Sequence, residues 1–146
     1  MNKILFLCTG NYYRSRYAEL IFNWHATPII ANWKATSRGL DLVKGANNVG
    51  PISPAVSERL IQKGIPFSSA MIRPPIQAKQ SDLKDSKLIV ALQDSEHRYY
   101  IQKLFPDWEN QVIFWNIPDV APDIFYDPLH EIEVNIISLI DEITRK

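Results

Sequence analysis

Apolar positions along the chain fall into two rhythms, short unbroken runs and sets spaced three and four apart. Lys3–Leu7 carries a continuous run, Ile4–Leu7, of the kind found in a strand covered on both faces of a parallel sheet. Tyr17, Leu20, Ile21 and Trp24 then recur at i, i+3, i+4 and i+7, which predicts a helix over Ser15–Ala26. Trp33–Ser37 predicts a weaker second strand ending at Gly39. Pro54 suits the first turn of a helix to about Lys63, closed by Gly64, with Val56, Leu60 and Ile61 on its apolar face. Residues 65–80 carry three prolines and predict a long irregular crossing. Lys87–Leu92 reads as a second buried strand, and Ser95 as the cap of a helix running to about Phe105 through Tyr99, Ile101 and Leu104. Val112–Ile117 predicts a fourth strand, 118–127 a loop rich in proline and aspartate, and Pro128–Thr144 a closing helix bearing Ile132, Ile136, Leu139, Ile140 and Ile143.

Strands alternating with helices imply an α/β domain, a small doubly wound four-stranded parallel sheet with helices on both faces and right-handed crossovers. At 146 residues the chain fits one such domain over its whole length, 1–146. Sheets of this kind bind ligands outside the carboxyl ends of their strands, and Cys8 sits at one of those ends.

Composition narrows the partners. Apolar residues make up 46% and charged ones 22%, which is globular rather than disordered. Sixteen basic residues balance sixteen acidic ones, so no global field draws the protein to nucleic acid or a membrane, and anion recognition must be local. A single cysteine forms no internal disulfide, the N-terminal apolar run is too short for a secretion signal, and no run approaches the ~20 residues needed to span a bilayer. A cytoplasmic protein, a monomer or weak dimer, is expected. His25, His97 and His130 stand singly without metal-ligand spacing and read as surface or helix-end residues, so neither a metal nor a cofactor is expected. Trp24, Trp33, Trp108 and Trp115 read as core or sheet-edge packing, and Lys79–Lys87 as a solvated helical face.

The loop CTGNYYRS, residues 8–15, carries the chemistry. Wrapped back on itself, its backbone N–H groups would converge into an anion nest with the next helix's positive end behind it. Gly10 would permit the unusual φ of such a turn, and Asn11 is among the few other residues that tolerate it. Arg14 offers a planar fork for two phosphate oxygens, and Ser15 a hydrogen bond to the sulfur. Amide dipoles, helix terminus and Arg14 together favour a thiolate at Cys8. A lone cysteine after a strand is commonly a small buried hydrophobe, but packing alone does not require Gly, Asn, Arg and Ser at these offsets.

Residues 4–15, ILFLCTGNYYRS, resemble the phosphate-binding loop of the low-molecular-weight protein tyrosine phosphatases, a family that shares its fold with thioredoxin-coupled arsenate reductases. Ser37-Arg38-Gly39 is similar to the family's S-A-G segment, Leu83–His97 to the stretch around its third strand, and the chain's ending to its last helix. The resemblance implies that Cys8 is the nucleophile forming a phosphocysteine, that Arg14 binds the phosphoryl group, that Ser15 steadies the thiolate, and that Asn11 holds the loop in shape with Ser37. Thr9, Gly10, Tyr12 and Tyr13 complete the expected substrate-binding loop.

Phosphomonoester cleavage also needs a proton donor, which the family supplies as an aspartate, usually in D-P, after the fourth strand. Asp119, two residues past the predicted strand, is preferred because a strand end holds a residue rigidly over the site. Asp127-Pro128 matches the dipeptide but equally suits a helix N-cap followed by a first-turn proline, and Asp123 is the third choice. Several positions depart from the family. Tyr13 stands where relatives often carry a second, protective cysteine, so Cys8 should oxidise past sulfenic acid more readily. Arsenate reduction needs two further cysteines that the chain lacks, and Tyr12 replaces the threonine of relatives acting on phosphoarginine. Arg16 replaces a common proline and is expected to add positive charge beside the pocket; the aromatic pair that follows D-P is missing, with Phe125-Tyr126 as the candidate substitute. Tyr12 either stacks on an aryl leaving group or packs on a neighbouring loop at the rim. The function expected is a cysteine-dependent phosphatase acting on a phosphotyrosine protein or small aryl phosphate. The alternative is an anion sensor of the same fold with little turnover.

Overall fold

Four parallel strands, β1 (Asn2–Cys8), β2 (Trp33–Gly39), β3 (Leu88–Ala91) and β4 (Val112–Phe114), pair in the order β2-β1-β3-β4. They are seen in a computed structural model that describes residues 1–66, 68–120 and 122–146. Phe67 in the predicted crossing and Ala121 in the predicted loop lie outside the described residues. Among the described residues five α-helices surround the sheet: α1 (Arg14–Ala26), α2 (Pro54–Gln62), α3 (Gln80–Lys84), α4 (Asp94–Leu104) and α5 (Pro128–Thr144). The expected single-domain doubly wound α/β architecture is what forms.

The unbroken apolar run of β1 is explained by its central place in the sheet. Ile4 and Phe6 join Val90 and Leu92 in a core under α1, α2 and α5, while Leu5 and Leu7 join Ile89 and Ala91 in a second core under α3 and α4. All four β1 side chains are completely buried, each contributing roughly 1.5–3 kcal/mol, so the strand that ends on Cys8 is firmly anchored.

Several boundaries and faces differ from expectation. Within α1, Tyr17, Leu20 and Ile21 are buried, but Trp24 is exposed; Trp33, Trp108 and Trp115 do pack on the cores. Ile61 of α2 and Tyr99 and Leu104 of α4 also face solvent. Ser95 is not a cap: α4 begins at Asp94 with Gln93 at the N-cap, because the Gln93 N–H is taken by His97 Nδ1 at 3.0 Å. His97, expected as a surface or helix-end residue, is fully buried on the α4 face it shares with Ile101. Regular pairing of β4 stops at Phe114, although the N–H groups of Trp115 and Ile117 still bond to Ala91 O and Leu92 O. That residual ladder carries the chain straight past β3 to residues 117–119, over the carboxyl end of the sheet.

Candidate functional site

Cys8 and Gly39 are register partners at the ends of β1 and β2, so the 8–15 loop leaves the sheet beside the start of the next loop. Leu40 N–H bonds to Cys8 O at 2.9 Å and Asp41 N–H to Thr9 O at 2.9 Å. A Cβ on Gly39 would lie 2.6 Å from Leu42 Cδ2 and 2.9 Å from Thr9 O, so no side chain fits where the two loops cross.

Asn11 adopts the left-handed conformation at φ 50°, the one described non-glycine residue with positive φ. Gly10, expected to take that role, is not among the positive-φ residues; instead it passes close to Gly45 and Asn48. Behind the loop runs a directed chain of hydrogen bonds. Ser37 Oγ donates to Glu19 Oε1 at 2.6 Å and accepts from Asn11 Nδ2 at 3.0 Å. The same Nδ2 donates to Ser15 Oγ at 2.9 Å, which leaves the Ser15 hydroxyl proton free to point at Cys8 Sγ, also 2.9 Å away. Arg73 closes the network by donating to Asn11 Oδ1 at 2.9 Å and pairing with Glu19 at 3.0 Å, and Ile76 N–H reaches Asn11 Oδ1 at 3.1 Å.

Arg16 does not add charge beside the pocket as expected. Its guanidinium is buried and donates to the carbonyls of Asn11, Pro51 and Met71, tying the loop to two remote segments. Burial, with help from Arg73, lowers its pKa to about 10, which still leaves it charged at neutral pH.

In front of the loop lies a cleft of about 560 Å³. Cys8, Thr9, Gly10, Tyr12, Tyr13 and Arg14 line it, together with Lys44, Gly45 and Asn48, Gln93 and Glu96, and Pro118 to Val120. Asn11 and Ser15, counted with the expected substrate-binding loop, are fully buried and do not line it. Arg14 is itself buried, held by Ile117 O at 2.9 Å and Gln93 Oε1 at 3.3 Å through Nη1, by Glu96 Oε2 at 2.7 Å through Nη2, and lies 3.4 Å from Asp119 Oδ1 through Nε. Thr9 Oγ1 donates to the same Glu96 oxygen at 2.5 Å. Burial alone would raise the Glu96 pKa, but the neighbouring His97 ring, the hydrogen bonds from Thr9 and Arg14 and the Arg14 charge reverse this and hold the carboxyl well below the usual range. Burial lowers the His97 pKa, so that ring is neutral.

Of the three candidate acids only Asp119 lines the cleft. Asp127 caps α5, accepting from the N–H groups of Leu129 and His130, and pairs with Arg59 at 2.7 Å. Asp123 accepts from Phe125 N–H, and neither Phe125 nor Tyr126 lines the cleft. Tyr12 sits at the rim with its hydroxyl on Val49 O at 2.5 Å. Sequence reasoning missed Glu96, Gln93, Arg73 and Lys44, which come from 29 to 81 residues beyond the end of the loop and carry no local signal. Among the described residues no group of three His, Cys, Asp or Glu side chains is placed to hold a metal ion, and no helix is long and apolar enough to cross a membrane.

The site thus joins a doubly wound α/β fold to a cysteine–arginine loop at the carboxyl end of an inner strand. Residues 3–146 match the family described as low molecular weight phosphotyrosine protein phosphatase, and the chain belongs to that family of phosphatase enzymes. Among solved structures it is similar to a low molecular weight protein tyrosine phosphatase from T. tengcongensis, with 23% identity, 97% of this chain and 99% of that chain covered, and a TM-score of 0.79. Wzb from Vibrio vulnificus, solved in complex with benzylphosphonate, matches at 18% identity over 97% of this chain and 98% of its own, with a TM-score of 0.78. The YwlE arginine phosphatase from Geobacillus stearothermophilus matches at 21% over 99% and 94%, with a TM-score of 0.77. Comparison with curated protein sequences gives no match.

Proposed function

We propose that the chain hydrolyses phosphomonoesters of aryl alcohols, phosphotyrosine among them, through a phosphocysteine. The observation that carries this reading is that Cys8, Arg14 and Asp119 line one cleft while the rival aspartate, Asp127, is committed to a helix cap. The phosphoryl group sits in the cradle of loop N–H groups with Arg14 on its oxygens. Cys8 sulfur attacks phosphorus, the P–O bond to the leaving group breaks, and Asp119 gives that oxygen its proton. In the second half Asp119 takes a proton from water, whose oxygen attacks phosphorus and expels the Cys8 thiolate. Ser15 supports the sulfur in both halves through its 2.9 Å contact.

Aryl specificity is supported by Tyr12 and Tyr13, two rings on the cleft wall, and by the ring-bearing benzylphosphonate in complex with the Vibrio vulnificus relative. Phosphoarginine, the substrate class of the Geobacillus relative, is disfavoured by Tyr12, and arsenate reduction by the single cysteine. An anion sensor with little turnover is the second reading, favoured by the carboxylates already seated on Arg14. Turnover of p-nitrophenyl phosphate separates these. Hydrolysis by the native chain with loss on the order of a millionfold in Cys8→Ser is expected. Turnover that survives Cys8→Ser sinks the phosphatase reading, and native inactivity with tight vanadate binding selects the sensor.

A further inference from the structure

The edge of Arg14 that must take two phosphoryl oxygens is occupied. Nε and Nη2 form the side of a guanidinium that grips an oxyanion in parallel, and here they face Asp119 Oδ1 at 3.4 Å and Glu96 Oε2 at 2.7 Å. A phosphoryl group entering the cradle has to take the place of these carboxylates. Asp119 is 59% exposed and can turn to solvent, but Glu96 is only 29% exposed and loses its best partner.

His97 offers Glu96 a second seat. The ring is completely buried, and because Nδ1 accepts the Gln93 N–H, the ring proton belongs on Nε2. Nε2 lies 3.0 Å from Glu96 Oε2 but out of line for a hydrogen bond, and it has no other partner. A buried donor without an acceptor is rare and calls for an explanation. A small rotation of the Glu96 carboxylate supplies one.

We propose that Glu96 is an exchangeable counter-ion, seated on Arg14 and Thr9 when the site is empty and turned onto His97 Nε2–H when a phosphoryl group displaces it. The inference rests on the phosphatase reading and adds a positioning residue to it. Glu96 keeps Arg14 aimed into the cradle between turnovers and discriminates among anions. A phosphoryl dianion presents two oxygens to the Arg14 edge and repays the exchange, whereas a monoanion with one competent oxygen repays it poorly.

Inorganic phosphate is the probe, titrated calorimetrically into the native chain and Glu96→Gln. The isosteric amide removes the competing charge and is expected to bind phosphate about tenfold tighter, equivalent to about 1.4 kcal/mol. A merely structural role for Glu96 predicts the reverse, because Arg14 would lose its support; equal or weaker binding in Glu96→Gln overturns the inference. The second readout needs no variant: the His97 Nε2–H resonance of the native chain should move downfield at saturating phosphate. A resonance that phosphate leaves unmoved also overturns the inference. Neither measurement requires turnover, so a chain that binds phosphate without hydrolysing esters overturns the phosphatase reading alone. A chain that does not bind phosphate overturns both.

Discussion

The two sides of the 8–15 loop are built on opposite principles. Behind it, Asn11, Ser15, Ser37 and Arg16 are buried, and each finds neighbours within ordinary hydrogen-bond distance. In front, Arg14 meets two carboxylates that are partly open to solvent, on a cleft with Tyr12 and Tyr13 in its wall. The rear holds a shape that must not change, and low dielectric makes any missing partner there costly. The front holds charges that must change partners, so its ion pairs are partly solvated and replaceable. Rigidity and exchange are thus separated by the thickness of one loop.

Substitutions in front should leave the fold intact and cost activity, and those behind should do the reverse first. Asp119→Asn is expected to lower kcat for p-nitrophenyl phosphate by about 10²–10⁴ and to remove one limb of the pH–rate profile. Asp127→Ala should leave that profile unchanged and lower stability by about 0.5–2 kcal/mol through loss of the α5 cap, read in urea. If their roles were exchanged, the assignment of Asp119 would fall. Arg14→Lys keeps the charge but loses the fork, and a drop of about 10²–10³ in kcat/KM with little change in melting temperature is expected. Behind the loop, Asn11→Ala strands the Arg73, Ile76 and Ser37 partners and puts alanine at positive φ. It should cost about 1–3 kcal/mol of stability, and an unchanged urea midpoint would dissolve the contrast between the two sides.

The smallest effect concerns pH. His97 is buried neutral, so its folded pKa lies below that of the unfolded chain. The unfolded state therefore binds the extra proton first, and the stability contributed is complete above about pH 6.5 and lost as pH falls toward the folded value. The urea midpoint of the native chain should decline below that pH, and His97→Gln should flatten this part of the curve. Glu96, whose pKa is also depressed, faces the ring and produces a further loss at still lower pH.

What was legible follows the reach of each interaction. The apolar run of β1 and the spaced residues of α1 and α5 report local periodicity, so those elements and the two-sided core could be read directly. Cys8, Arg14 and Ser15 belong to one contiguous motif and were legible for the same reason, as was Asp119 at the end of a strand path. Gly10 misled because chain chemistry permits a turn without saying which residue takes it; the Ser37 and Arg73 bonds select Asn11. His97 could have been found, since it stands four residues before Ile101 on the same helical face. Glu96 and Arg73 follow no periodicity, and only the tertiary fold brings them to the loop. Arg16 looked like surface charge because a buried guanidinium is rare without a carboxylate; three carbonyls take that place here.

The bonds at Asn11 also bear on how the chain comes to be competent. Its side chain waits for partners 62 and 65 residues downstream, in the segment that crosses back after α2. Long-range closures of this kind form late, after loop entropy has been overcome. A partly folded chain therefore carries Cys8 at the end of a strand without the loop closed around it. The loop takes its shape only once the crossing has docked, so the cleft in front of it arrives together with the finished fold.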